Sequence, residues 1–512
     1  MEVKLHKYLP IIFLFLIACN NEQIEKETED VKSSTALDGK ALAESYCASC
    51  HMYTEPSLLS KKTWSEGVLP AMGPRFGIFE HEGQGYPSDR GKPNTEGIYP
   101  AKPTISKEEW QAILDYYEKE SPENMAQQER SAPYKMGLDQ FEVNKVNSNN
   151  VAPIISMLRI VKEGGFFIFD ANSNMLAKMD TKGNASSLIK MQNPLSNLIE
   201  YNNKYLVTSI GSILPSDVWG GEISVLNTKN GVISPSKKIS GDLERPVMTR
   251  VGDLNGDGTK DFVICGYGHN KGAFYWLDGK NKSKNIIRPV PGAISTSLVD
   301  YDKDGDLDIF TLFAQSDEKI LYFENDGKGN FTEKEILRFI PVQGSSSMQI
   351  VDMNGDGNLD ILYTCGDNAD YSMVLKNYHG VYIFTGDGDG NFNKSYFYPM
   401  NGAFKARAAD FDKDGDMDIA AISFFADYLS QPYEGFLYFS QKSNLEFEVN
   451  AFDESYKGRW LTMDVGDVDL DGDEDIILGN FSMGPSNMPD QIKRTWVEGP
   501  AAMVLINLQS LN

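Results

Sequence analysis

The segment Asp300-Tyr301-Asp302-Lys303-Asp304-Gly305-Asp306-Leu307-Asp308 decides the fold of this chain, because its pattern occurs five times. Aspartate or asparagine stands at positions 1, 3, 5 and 9, and glycine stands at position 6 of every copy. Side-chain oxygens at this spacing can converge on one hard cation, while the glycine permits the sharp turn between them. We therefore expect five loops that bind Ca²⁺, with the carbonyl of position 7 as a further ligand.

We number these segments loop 1 (253–261), loop 2 (300–308), loop 3 (352–360), loop 4 (410–418) and loop 5 (467–475). The candidate calcium ligands occupy positions 1, 3, 5, 7 and 9 of each loop. They are Asp253, Asn255, Asp257, Thr259 and Asp261; Asp300, Asp302, Asp304, Asp306 and Asp308; Asp352, Asn354, Asp356, Asn358 and Asp360; Asp410, Asp412, Asp414, Asp416 and Asp418; and Asp467, Asp469, Asp471, Asp473 and Asp475.

The residues after each loop distinguish these segments from EF-hands. An EF-hand carries glutamate at position 12, where this chain has Ile264, Thr311, Tyr363, Ala421 and Leu478. Instead, a short apolar segment follows position 9, which predicts a β-strand directly after each loop. The loops therefore belong to a repeated β-structure.

The repeat length indicates the architecture. The loops recur about every 50 residues, which is the length of a four-stranded propeller blade. A second pattern, a short apolar strand followed by a polar turn, occurs seven times between residues 176 and 508. We expect residues 151–512 to form a seven-bladed, all-β propeller whose last five blades carry the loops. A parallel solenoid of calcium repeats is the alternative. The repeats resemble the FG-GAP or VCBS family, whose propeller blades carry such a loop.

A different motif, Cys47-Ala48-Ser49-Cys50-His51, precedes the propeller. Two thiols separated by two residues and followed by histidine form the CxxCH pattern of covalent c-type haem attachment. Cys47 and Cys50 would bond to the porphyrin vinyl groups, and His51 would coordinate the iron. The cofactors expected from the sequence are covalent haem c and about five Ca²⁺ ions, one for each loop.

Residues 36–122 resemble a small class I cytochrome c, which implies an all-α haem domain. One helix is expected from about residue 36 to the motif. A second is expected from Ser106 to Tyr117, because Ser106 and Glu109 form a capping box ahead of an apolar face. The resemblance implies that these helices cross near Gly39, which lies eight residues before the first haem cysteine.

The second axial ligand of the iron is expected to be Met72. It lies in the segment Leu69–Pro74, which the sequence predicts to be a stiff apolar loop. A His/Met ligand pair raises the reduction potential and suits electron transfer. His81, or an open coordination position, is the alternative. The resemblance also implies that the carbonyl of Pro56 accepts the ring N–H of His51.

The N-terminus predicts export and lipid attachment. An apolar run that is shorter than the roughly 20 residues of a membrane span indicates a signal peptide, residues 1–18. Leu16-Ile17-Ala18-Cys19 resembles the bacterial lipobox, which implies that Cys19 is lipidated. An acidic tether, residues 19–35, follows it. We expect a lipid-anchored protein of the cell envelope, at the outer membrane.

Composition limits the partners. The chain has 48 basic and 73 acidic residues, a net charge of −25, which argues against nucleic acid as a partner. A polar linker is expected at residues 123–150. The combination predicts an electron-transfer protein with a docking or recognition propeller, and its partner would be a redox protein or an envelope ligand. The alternatives are an envelope module that binds a glycan or protein and carries an accessory haem, and a haem-coupled oxidoreductase. No catalytic residue is identified, so an electron carrier is favoured over an enzyme.

Overall fold

The computed structural model describes residues 37–130, 132–147, 152–229, 232–369 and 372–509. The expected signal peptide and Cys19, at which lipidation is expected, lie outside these residues. Within the described ranges, no helix has the length and apolar character needed to cross a membrane.

Seven antiparallel sheets dominate the structure, and each of them contains four strands in sequential order, apart from the changes at the ring closure. The first strand of each sheet contacts the first strand of the next sheet, and the seventh contacts the first again. The sheets therefore form a closed ring of seven blades. The seven-bladed, all-β propeller predicted from the sequence is confirmed.

The strands of blades 1 to 7 follow one another along the chain. Blades 1 and 2 comprise β5 (Ile155–Ile160), β6 (Phe166–Asp170), β7 (Met175–Met179), β8 (Ala185–Lys190), β9 (Leu195–Tyr201), β10 (Lys204–Ser209), β11 (Gly221–Lys229) and β12 (Val232–Leu243). Blades 3 and 4 comprise β13 (Pro246–Gly252), β14 (Asp261–Gly266), β15 (Ala273–Leu277), β16 (Lys284–Arg288), β17 (Ala293–Val299), β18 (Asp308–Phe313), β19 (Lys319–Asn325) and β20 (Phe331–Arg338). Blades 5, 6 and 7 comprise β21 (Ser345–Val351), β22 (Asp360–Cys365), β23 (Gly380–Gly386), β24 (Phe392–Pro399), β25 (Ala403–Ala409), β26 (Asp418–Ser423), β27 (Phe436–Ser443), β28 (Glu446–Ala451), β29 (Trp460–Gly466), β30 (Asp475–Asn480) and β31 (Ala502–Asn507).

The ring is closed by residues that precede it in sequence. β4 (Phe141–Val146) pairs antiparallel with β31 as the outer strand of blade 7. β3 (Lys135–Met136) pairs parallel with β28 at the edge of blade 6. The expected linker, residues 123–150, therefore contains two strands of the propeller. The physical reason is that β31 would otherwise expose an unpaired edge, which β4 covers.

Residues 38–122 form a helical segment. Its helices are α1 (Gly39–Tyr46), α2 (Lys61–Thr63), α3 (Leu69–Met72) and α4 (Lys107–Glu120), with a π-helical turn at Trp64–Val68 and short 3₁₀ turns at Cys47–Ser49, Pro56–Leu58 and Gly73–Phe76. A two-stranded hairpin of β1 (Glu80–His81) and β2 (Gln84–Gly85) precedes a long irregular stretch. α5 (Asp490–Val497) lies in blade 7.

The expected separate all-α domain is only partly realised. The helical segment has its own apolar cluster, which includes Trp64, Trp110, Ile113 and Tyr117. Val342 of the propeller also packs against this cluster, and the segment belongs to the same compact unit as the propeller, Asp38–Asn512. The shared packing explains why it does not stand apart.

The blade topology separates two faces of the ring. Each Asp-rich loop joins the innermost strand of a blade to its second strand, for example β13 to β14. The helical segment instead contacts connections at the opposite ends of these strands, including Asn270 between β14 and β15 and Tyr378 between β22 and β23. The loops and the helical segment therefore lie on opposite faces of the propeller.

Candidate functional site

The five loops share one backbone conformation. The glycine at position 6 has a positive φ between 79° and 99° in all of them, a region that favours glycine. Its amide donates a hydrogen bond to the position 1 aspartate at 2.7–3.2 Å; the donors are Gly258, Gly305, Gly357, Gly415 and Gly472. Each loop therefore presents its side-chain oxygens on a preformed turn.

The aspartate at position 9 has a structural role that the loop pattern alone does not predict. Asp261, Asp308, Asp360, Asp418 and Asp475 are all fully buried. In blade 3, the two carboxylate oxygens of Asp261 accept hydrogen bonds from the amides of Leu254 at 3.0 Å and Gly279 at 2.6 Å. Asp308, Asp360 and Asp475 are bonded in the same way. Position 9 thus ties each loop to the end of the third strand of its blade.

Loops 2, 4 and 5 bring carboxylates together. In each, three ligand atoms lie within 4.8 Å of one another; the groups are Asp300, Asp302 and Asp304; Asp410, Asp412 and Asp414; and Asp467, Asp469 and Asp475. Among the described residues, the buried Oδ1 atoms of Asp300 and Asp410 have no hydrogen-bond partner. Converging carboxylate oxygens, some of which have no hydrogen-bond donor, fit a hard divalent cation.

The pKa values of several aspartates in these loops are raised, as expected for carboxylates that lie close together. Desolvation, followed by the charge of Asp414, raises the pKa of Asp412. Burial raises the pKa values of Asp418 and Asp475 to about 7, although hydrogen bonds to both carboxylates oppose the shift. The repulsion among these groups would be relieved by a bound cation.

Loops 1 and 3 differ because asparagine replaces aspartate at position 3. In loop 1, Lys280 Nζ lies 3.0 Å from Asp257 Oδ2, so a protein cation already occupies the rim of the loop. Desolvation acts to raise the pKa of Asp257, but the hydrogen bond from Lys280 and those from Thr259 lower it overall. In loop 3, Asn354 Nδ2 donates to Asp356 Oδ2 at 2.9 Å. The sequence pattern alone did not reveal Lys280, which lies two strands beyond the loop.

The CxxCH motif follows α1 directly. Cys47 and Cys50 have free thiols, and Cys47 packs against the apolar cluster of the helical segment. His51 Nδ1 lies 2.8 Å from the carbonyl oxygen of Met52. An Nδ1–H that donates to this carbonyl leaves the Nε2 lone pair available for a metal. The donor set therefore fits a c-type haem.

The structure also locates the candidates for the second axial position. Met72 is half-buried and packs against the same apolar cluster as Cys47. The expected loop around it is wrong: Leu69–Met72 is α3, since Pro70 in the first turn favours the start of a helix. His81 Nε2 lies 2.6 Å from Gln111 Oε1, so its ring is already hydrogen-bonded.

The expected crossing of two helices is present. A Cβ atom on Gly39 would lie 2.1 Å from the carbonyl oxygen of Ala112, so α1 and α4 approach as only glycine allows. The predicted capping box of Ser106 and Glu109 is confirmed, and Tyr46 donates to Glu109 at 3.0 Å. The Tyr46 side chain thus links the end of α1 to the start of α4.

One implied contact of the motif is different. The carbonyl of Pro56 accepts the indole N–H of Trp64 at 2.9 Å, whereas His51 bonds to Met52. The expectation that Pro56 orients His51 is therefore wrong in this structure. The physical reason is that the π-helical turn at Trp64–Val68 places the indole against this carbonyl.

Polar contacts fix the helical segment on the propeller. His269 Nε2 lies 2.8 Å from Asp89 Oδ2, and Asn270 Nδ2 donates to the same oxygen at 2.9 Å. Arg75 donates to Asn270 Oδ1 at 2.7 Å. Across blade 5, the Tyr378 hydroxyl donates to the carbonyl of Leu58 at 3.4 Å. The motif is thereby held in one orientation over the ring.

Comparison with known proteins supports the repeat architecture. The profile of the FG-GAP-like repeat matches residues 253–311, 300–363 and 366–421, which include loops 1 to 4. FG-GAP-like repeats are therefore present in this propeller. No curated protein matches the chain. Virginiamycin B lyase from Staphylococcus aureus is similar in structure, with 12% identity and a TM-score of 0.46 over 71% of this chain and 98% of that one. The N-terminal domain of Nup159 shows 10% identity and a TM-score of 0.41 over 74% and 98%.

Proposed function

We propose that this protein is a lipid-anchored c-type cytochrome of the cell envelope, in which a calcium-binding propeller positions a haem-carrying helical segment for electron transfer. Haem would be attached through Cys47 and Cys50 and ligated by His51 and Met72. The haem supplies a one-electron redox centre. The propeller supplies the docking surface, and its partner would be a redox protein of the same compartment.

The observation that carries this proposal is the position of the CxxCH motif at one apolar cluster. Cys47 and Met72 pack against the same apolar cluster, and α1 crosses α4 closely at Gly39. The porphyrin of a haem is flat and largely apolar, so its two faces need an apolar surface to pack against. The hydrogen bond of His51 Nδ1 orients the imidazole, so that Nε2 is left for the iron.

Within this proposal, the protein residues have separate roles. The apolar cluster shields the Cys47 thiol from water, and this desolvation is the main cause that raises the pKa of Cys47 to about 11, whereas Cys50 is exposed. A low-dielectric surround and a thioether ligand both favour the reduced, less charged state of the redox centre. The helical segment would therefore set a comparatively high reduction potential.

The calcium loops act on the opposite face. Loops 2, 4 and 5 hold the converging carboxylates described above, and a cation in each would neutralise their repulsion. Because position 9 connects each loop to the third strand of its blade, bound Ca²⁺ would brace the blades themselves. The ions are structural in this proposal and take no part in electron transfer.

An optical redox titration of the mature protein, compared with its Met72→Ala variant, tests this function. We expect the unaltered protein to show a reversible, low-spin haem spectrum, and the variant to lose the low-spin spectrum and shift its potential. Met136→Ala is the matched control, because Met136 lies on the exposed β3. An unchanged spectrum in Met72→Ala would refute the ligand assignment. The absence of covalent haem from protein made with haem-attachment machinery would refute the function.

A further inference from the structure

The innermost strands of the propeller carry a cluster of positive charge. Arg159 lies on β5, Arg250 on β13, and Lys405 and Arg407 on β25. One carboxylate, Asp464 on β29, lies among them. This cluster contrasts with a chain whose net charge is −25. We refer to the five residues as the channel cluster.

The channel cluster lies on the axis of the ring. Arg250 belongs to blade 3 and Arg407 to blade 6, which are not neighbours, so their side chains can interact only across the central channel. Burial is the main cause that lowers the pKa of Arg407 to about 10; the charge of Asp464 opposes this shift, and the charges of Arg250 and Arg159 add to it. Arg250, Lys405 and Arg407 nevertheless keep partial solvent exposure. They therefore line a space that small solutes can enter.

The positive charge of the channel cluster is only partly balanced. Asp464 Oδ1 lies 3.4 Å from Arg159 Nη1, and its Oδ2 accepts the amide of Ile160 at 2.8 Å. Glu200 of β9 is the other carboxylate on the seven innermost strands, and it pairs with Lys162 at 2.8 Å. Four basic side chains thus face one carboxylate. Because burial lowers the pKa of Lys405 to about 7, about two to three positive charges have no counterpart among the described residues.

The basic side chains of the channel cluster have more N–H donors than they use in hydrogen bonds to the protein. Lys405 Nζ donates to the carbonyl of Met463 at 2.7 Å. The two central guanidinium groups each donate to a neighbouring backbone carbonyl, Arg250 at 3.3 Å and Arg407 at 2.8 Å. A guanidinium has five N–H donors in a planar fork, so most donors of both groups remain available to a ligand. Oxyanions match this fork in geometry and in charge.

We propose that the central channel of the propeller is a binding site for a small dianionic oxyanion, held between Arg250 and Arg407 with Lys405 as a third contact. Such a ligand would compensate most of the surplus charge and occupy donors that protein groups leave unused. Dicarboxylates and tetrahedral dianions such as sulfate share this chemistry. The site is independent of the haem and of the calcium loops.

Isothermal titration of the full calcium-loaded chain with sulfate, and separately with succinate, tests the proposal. Chloride at equal ionic strength sets the baseline. We expect one site for at least one of the two dianions, and the tighter of them identifies tetrahedral or dicarboxylate preference. Binding should weaken at least tenfold in Arg250→Gln and Arg407→Gln, and should be unchanged in Lys394→Gln, whose side chain is exposed on β24. Failure of both dianions to bind would overturn the proposal.

Asp464→Asn provides a test that loss of folding cannot imitate. Asparagine Oδ1 can still accept the Ile160 amide, while the only carboxylate of the channel cluster is removed. We expect this variant to bind the dianion more tightly, by roughly three- to tenfold for a partly screened charge. Weaker or equal binding in Asp464→Asn would overturn the electrostatic basis of the proposed site.

Discussion

The helical segment and the Asp-rich loops prepare their candidate cofactor sites by opposite means. In the helical segment, Cys47 and Met72 pack against an apolar cluster, and the close contact at Gly39 fixes the helices around it. In loop 4, ligand atoms of Asp410, Asp412 and Asp414 converge to within 4.8 Å of one another. One candidate site is built from packing and offers two thiols for covalent attachment, and the other is built from charge.

This difference teaches that the two sites should respond to different perturbations. A covalent attachment persists when ions are removed, whereas clustered carboxylates repel one another once their cation leaves. The two sites also lie on opposite faces of one compact unit. Perturbing one face should therefore leave the chemistry of the other intact.

The largest expected effect is loss of haem from the helical face. In the double variant Cys47→Ser, Cys50→Ser we expect no covalent haem, because neither serine hydroxyl can form a thioether. The propeller should still fold, since its cores do not include this motif. Haem staining after a denaturing gel and circular dichroism measure the two outcomes. Cys265→Ala, which removes a buried thiol of blade 3, should retain haem. Haem that stays attached in the double variant would contradict this assignment.

Removal of calcium is expected to have the next largest effect, on the other face. A ligand present at a hundredfold excess over its Kd stabilises the folded state by about 2.7 kcal/mol for each site. Chelation with EGTA should therefore lower the Tm of the propeller by roughly 10 °C or more. The haem should remain covalently attached. Calorimetry with EGTA, and with Ca²⁺ or Mg²⁺ restored, measures this effect. An equal Tm with and without Ca²⁺ would contradict the proposal that bound cations stabilise the Asp-rich loops.

Sequence predicted the repeating parts of this molecule better than the parts that depend on distant contacts. The ring of seven blades followed from a local pattern, because each loop is followed at once by the strand it supports. The outer strand β4 was taken for a linker, since its pairing with β31 joins residues that are far apart in the sequence. Its residues alternate weakly and show no local turn signal.

The sites show the same distinction. Oxygen ligands at fixed spacing were visible in the sequence, but Lys280 reaches Asp257 only after two further strands have folded back. The α3 helix around Met72 was missed because Pro70 and the glycine at 73 read as loop residues, although proline is favoured in a first helical turn. The channel cluster was also missed. Alternating cations on β25 are ordinary in an edge strand and become unusual only when the ring turns them towards its axis.

A smaller effect is expected at the helix crossing, and it sharpens the role of packing. A Cβ atom at residue 39 would collide with the carbonyl of Ala112, so Gly39→Ala should separate α1 from α4. Overpacking of this kind costs about 1–3 kcal/mol. The helical segment of the variant should melt at a lower temperature than that of the unaltered protein, and the haem spectrum during heating follows this change. Gly85→Ala is the matched control, since nothing lies within 4 Å of its added methyl group. Equal melting of the two variants would show that the crossing is not tight.

The smallest expected effect is a difference in Ca²⁺ affinity between loop 1 and the loops that carry aspartate at position 3. Loop 1 has Lys280 beside Asp257, whereas loops 2, 4 and 5 carry aspartate at position 3 and bring three carboxylates within 4.8 Å of one another. Because Ca²⁺ must compete with this lysine, Lys280→Met should tighten the weakest class of calcium sites, roughly two- to fivefold for an exposed ion pair. A calcium titration that resolves the weak sites measures the change, and Lys394→Met on the exposed face of β24 should not alter it. If Lys280→Met left the weak sites unchanged, the asparagine at position 3, and not the lysine, would be what separates loop 1 from the all-aspartate loops.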